Sequence, residues 1–97
     1  MTNGKSEIDR SLIETLKNKR NAESADIIAL ITIIQEFLGH EKPNRKPTFI
    51  YLMEAFDLKL PDVLRLSGWE GFGDDGTWTD IEIISRFENL MSKKQRN

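Results

Sequence analysis

The sequence predicts an all-α, compact single domain of about five helices, residues 1–97, with a Gly/Asp/Trp-rich loop before the last helix. Three observations carry this. Apolar residues recur at helical spacing on both sides of residues 69–80. Most of those segments also carry a cap at one end or a glycine or proline stop at the other. Residues 69–80 then break the pattern, with three of the chain's six glycines, both tryptophans, Phe72 and four acids, and no Lys or Arg. Glycine loses more backbone freedom in a helix than any other residue, so three within six positions mark a loop. Large aromatic rings in a loop call for a reason, since loops run over the surface. Either the rings fold back and plug the core, or they meet a partner.

In chain order, Ser6-Glu7-Ile8-Asp9 has the outline of a capping box, with Asp at the third position after the cap. Ile8, Leu12, Ile13 and Leu16 follow at helical spacing and give a first helix to about Lys19. Ser24 is positioned to cap a second helix over residues 25–38 that is apolar nearly all round, from Ile27 to Leu38. Its run of β-branched residues, 27–34, would also suit a buried strand. The apolar pattern nonetheless continues for fourteen residues and stops at Gly39, which favours a helix at the centre of the core. A polar connection bounded by Pro43 and Pro47 contains His40, the only histidine, expected as a surface residue. Thr48 is placed to cap a third helix with Phe49, Ile50, Leu52, Met53 and Phe56 on its apolar face. Pro61 opens a short fourth helix over 62–67, closed by Gly68. Thr79 and Glu82 form a full capping box, and the last helix then lines Ile81, Ile84, Phe87 and Met91 along one face, with Ile83 and Leu90 beside them. Trp78 precedes that cap, where it would staple onto Ile83. Residues 1–5 and 93–97 are expected to fray.

A single domain of this length buries somewhat over ~60% of its unfolded surface, enough for one modest core. The absence of cysteine excludes a disulfide framework, a thiolate metal site and a cysteine nucleophile, and agrees with a reducing, cytoplasmic setting. No signal peptide is visible, and the longest apolar block falls far short of the ~20 residues a membrane span needs. The formal charge of −2 does not advertise nucleic acid. Bases gather in three clusters: Lys17, Lys19 and Arg20; Lys42, Arg45 and Lys46; Lys93, Lys94 and Arg96. Between Arg65 and Arg86 there is no base, while Glu70, Asp74, Asp75, Asp80 and Glu82 stand in that gap, so one face is expected to be negative.

The inventory for catalysis is thin. A Ser-His-Asp site would have to use His40, which nothing in its charged loop would orient. Asp74 and Asp75 are adjacent in an open glycine loop, poorly held for acid–base work. A phosphate-cradling loop fails on sign, since Gly71, Gly73 and Gly76 come with acids and no following Lys. Aligned as a calcium loop ending at Glu82, the segment puts Gly76, Asp75, Thr77 and Thr79 at suitable positions. Its first and third ligands would be Gly71 and Gly73, which offer no side-chain oxygen. The chain is therefore expected to be no enzyme and to hold no metal or cofactor.

Two resemblances remain. Residues 60–69 look like the first helix and turn glycine of the helix-turn-helix in lactose-repressor-type regulators, and residues 84–89 are similar to the end of their recognition helix. The likeness implies a DNA-binding regulator. It departs at the turn, where roughly ten residues with four acids replace a turn of three or four. The second is a likeness of type. A small, cysteine-free, acidic-faced domain with an aromatic acidic segment over 69–82 resembles the immunity proteins of bacterial toxin–immunity pairs, of the contact-dependent growth-inhibition or bacteriocin kind. It implies a non-enzymatic cytoplasmic inhibitor that covers a basic toxin domain, such as a nuclease, with no membrane or nucleic-acid partner. Its partner-binding residues would be Trp69, Glu70, Phe72, Asp74, Asp75, Trp78, Asp80 and Glu82, the acids steering a basic partner and the rings entering its pockets.

Overall fold

The computed structural model describes residues 8–73 and 75–95, with side chains to Lys93. Within them the chain is all-helical: α1 (Arg10–Glu23), α2 (Ile27–Leu38), α3 (Arg45–Phe56), α4 (Leu60–Leu64) and α5 (Asp80–Gln95). No helix among the described residues is long and apolar enough to cross a membrane. The predicted fold class holds, and the run 27–34 is helix.

The caps shift several boundaries. Ser6 and Glu7 of the expected capping box lie outside the described residues, and Asp9 itself caps α1, accepting from the Ser11 and Leu12 amides. The hydroxyl of Ser11 also donates to that carboxylate and, ahead of the backbone donors, lowers its pKa. Helix α1 runs on past Lys19 to Glu23, and Ser24 ends it in the left-handed conformation at φ 55°. Ser24 is therefore a stop rather than the start of α2, and Asp26 caps α2 by accepting from the Ala29 amide. Gly39 closes α2 at φ 74°, as its sequence position predicted. Helix α3 begins three residues before Thr48, at Arg45. Pro47 sits in its first turn, where an absent N–H costs nothing, and Thr48 is buried inside the helix instead of capping it. Helix α4 is shifted forward and ends at Leu64, with Asp62 accepting from the Lys59 amide at its start.

Helix α2 packs against α1, α3 and α5, and α3 packs against α1, α2 and α4, so the two share the centre. On α2 only Ile27, Leu30, Ile31 and Ile34 are fully buried, one stripe at positions i, i+3, i+4 and i+7. Ile28 and Ile33 are half-buried and Phe37 is exposed, so the helix is less enclosed than its composition suggests. Arg20 near the end of α1 forks onto Glu88 of α5 with two hydrogen bonds, 2.7 and 2.6 Å long, and donates to the Ala25 carbonyl at 3.0 Å. That pair fixes α5 against the far end of α1. On the other side, the Asp9 amide donates to the Tyr51 hydroxyl of α3 at 3.0 Å.

Candidate functional site

Residues 65–79 connect α4 to α5, and the whole segment is built around Trp69. Its backbone forms an isolated parallel bridge with Trp78. The Gly68 carbonyl accepts from the amides of Thr77 and Trp78 at 2.8 and 2.9 Å, and the Trp78 carbonyl accepts from the Glu70 amide at 2.9 Å. A single 3-10 turn, Glu70–Phe72, fills the space between. The segment is thereby closed at its base like a stitched pouch.

The rings turn inward. Trp69 and Phe72 are each only 6% exposed and stand edge to face at 5.2 Å, while Phe72 meets Phe49 of α3 in the same manner at 5.5 Å. Burying two such rings is worth several kcal/mol, at roughly 1.5–3 kcal/mol each. The indole N–H of Trp69 donates to Asp80 at 2.8 Å, which satisfies the one polar atom the burial would otherwise strand. The glycines are the other half of this packing. A Cβ on Gly71 would come within 2.4 Å of the Trp69 ring, and one on Gly76 within 2.3 Å of the Trp69 carbonyl oxygen. Only residues without a Cβ fit there, so the clustered glycines serve close approach to Trp69.

The expected partner-binding residues therefore separate into two groups. Trp69 and Phe72 belong to the core and are not presented to a partner, because Phe72 packs against Phe49 of α3 and Trp69 packs against Phe72. Trp78 is half-buried, and the Arg86 guanidinium lies over its ring, 3.7 Å from the centroid. Asp75 is exposed but paired with Arg45 at 2.9 Å, and this arginine also donates to the Ser67 carbonyl and lies over Phe72. The hydrogen bond from Arg45 and its charge lower the pKa of Asp75. Asp74 lies outside the described residues. Glu70, Asp80 and Glu82 are exposed; Asp80 holds Trp69, and Glu82 accepts from the Thr79 amide at 2.8 Å in the predicted capping box. Among the described residues no three potential metal-ligating side chains gather.

Sequence reasoning missed two things about charge and register. The base-free gap between Arg65 and Arg86 is not base-free in space, since Arg45 and Arg86 reach into it from outside. The buried stripe of α5 is Ile83, Phe87 and Leu90, rotated from the expected face, which leaves Ile81 80% exposed. The Thr79/Glu82 box fixes where α5 starts, and the step of 3.6 residues from Ile83 would have given this register.

Two surfaces result. On one, Ile81 stands between Asp80 and Glu82, with Glu70 bound by its amide beside Trp78. On the other, a cleft of about 360 Å³ is lined by Arg65, Arg86, Asn89, Leu90, Ser92 and Lys93. No protein-family model, curated protein or solved structure matches the chain.

Proposed function

We propose that the chain is a non-enzymatic protein-binding module, an inhibitor of the kind found in bacterial toxin–immunity pairs, that covers a basic partner through the first turn of α5. One observation carries this reading: Ile81 is 80% exposed on a helix whose other aliphatic residues turn inward, and acids flank it on both sides. A large aliphatic group ringed by charge suits an anchor entering a pocket, with the acids raising the encounter rate. Glu70, Asp80 and Glu82 stay in this reading as the steering charges, and Ile81 takes the anchoring place expected of Phe72. The partner is then a basic protein surface such as the active-site face of a nuclease toxin.

A tagged copy produced in its native cell tests it, in parallel with Ile81→Lys. The expected result is a basic protein retained by the native chain and lost with Ile81→Lys. Its association should slow as salt rises, and the native chain should protect growth when the partner is expressed. Capture of the same proteins by both copies would sink the proposal.

A further inference from the structure

The cleft between the end of α4 and the second half of α5 has a separate chemistry. Arg86, Asn89 and Lys93 fall at i, i+3 and i+7 along α5 and so share one face, and Arg65 reaches the cleft from the turn after α4. Among the described arginines, Arg10, Arg20 and Arg45 each have a carboxylate within 4 Å, on Glu54, Glu88 and Asp75. The other two are Arg65 and Arg86, and both line this cleft. The acids nearest them along the chain are engaged elsewhere: Asp62 accepts from the Lys59 amide, Glu82 from the Thr79 amide and Glu88 from Arg20. Arg86 is also held in place. Its guanidinium lies over Trp78, whose backbone is bonded to Gly68 on one edge and Glu70 on the other. A Cβ on Gly68 would come within 3.1 Å of that same ring, so Trp78 is seated against the backbone. A guanidinium lying over an aromatic face keeps N–H groups available for a ligand.

We propose that this cleft binds a phosphate monoester group. Three positive charges and the polar side chains of Asn89 and Ser92 converge, matching a dianion with three terminal oxygens better than a single carboxylate. Two guanidinium forks suit bidentate contact with phosphate oxygens. The volume of about 360 Å³ lies at the lower end of the small-ligand range of roughly 300–1,000 Å³. The cleft is concave, which fits a compact ligand; reading a DNA major groove instead needs a helix that stands out into it. Leu90 supplies a buried apolar floor. Trp78 acts here as a positioning residue for Arg86.

The test is a titration of the folded protein with inorganic phosphate and, separately, with a nucleoside monophosphate, followed by the side-chain Nε resonances of the arginines. The proposal expects saturable shifts at Arg65 and Arg86 in the millimolar range or below, with Arg10 unmoved. Arg65→Gln and Arg86→Gln should each weaken binding about 10- to 100-fold, and Arg10→Gln should not. Trp78→Leu should weaken it less while broadening the Arg86 resonance, a signature that simple loss of charge would not give. Tighter binding of the nucleotide than of phosphate identifies a ligand whose body also fills the cleft, and equal binding identifies the free anion. Shifts that grow linearly without saturating, or that Arg10 shares, overturn the proposal. So does tight binding of short duplex DNA that phosphate does not displace.

Discussion

The indole nitrogen of Trp69 and the carboxylate of Asp80 meet at 2.8 Å across eleven residues of chain, tying a core ring to the first turn of α5. Asp80→Ala would leave a buried N–H without a partner, which costs about 1–3 kcal/mol. Asp80→Asn keeps an acceptor and should cost less. Urea denaturation of the two variants compares them directly, and equal losses would mean that the bond does not hold the segment.

Phe72→Ala should destabilise the fold by about 3–5 kcal/mol, because it removes a ring packed between Phe49 and Trp69. Trp78→Ala should cost less, since its ring is half-buried. This ordering reverses the one a partner-facing loop would give. Thermal melts of the two variants decide it.

Among the glycines the expected ranking follows contact and not conformation. Gly71→Ala and Gly76→Ala drive a methyl group into Trp69 and should be severely destabilising. Gly39→Ala meets no atom within 4 Å and carries only the strain of φ 74°, about 1 kcal/mol. Chemical denaturation that found all three alike would contradict the packing described for Trp69.

The Arg20–Glu88 pair predicts a response to acid. The hydrogen bond from Arg20 lowers the folded pKa of Glu88 below its ordinary value; burial opposes it more weakly, and the arginine's charge adds a still smaller lowering. A depressed carboxylate contributes stability above its unfolded pKa, and that stability is lost as pH falls through the folded value. Asp75 and Asp9 shift in the same direction. Stability measured from neutral pH downward should fall through the carboxylate range, and Glu88→Gln should remove part of that slope. The pair is partly exposed, so its worth at neutral pH is up to about 1 kcal/mol.

The helices were legible because each depends on its own neighbours in sequence. Gly39 as a stop and the Thr79/Glu82 box are local signals that appear where they were expected, and Pro61 lies in the first turn of α4, one residue after its start at Leu60. The errors came from residues with two local uses. Ser24 has the chemistry of a cap, yet Asp26 two residues on takes that role, and the serine closes the preceding helix. The acidic aromatic segment misled for a different reason. Its inward turn depends on Phe49, the ion pair of Asp75 on Arg45 and the cover over Trp78 on Arg86, all of them outside the segment. Nothing in the local spacing announces that the arginine opening α3 will find Asp75 thirty residues later. The clustered glycines marked the loop, but their close approach to Trp69 depends on how the loop folds and not on their spacing.

Ile81→Ser tests the α5 surface from the side of stability. An isoleucine 80% exposed contributes little to the core, so the variant should melt within about 0.5 kcal/mol of the native chain. A large loss would mean that Ile81 packs in the fold and does not serve as an anchor.

Both tryptophans of the chain lie in the bridged segment, one enclosed and bonded to Asp80, the other beneath Arg86. Ultraviolet emission excited at the indole band therefore reports this one segment, while far-ultraviolet dichroism reports the five helices. Trp78→Phe isolates the enclosed emitter, and Trp69→Phe isolates the one beside the basic cleft. A red shift that precedes the loss of ellipticity on heating would be the optical record of the pouch opening while the helices stand. Coincident curves would mean that pouch and helices melt as one.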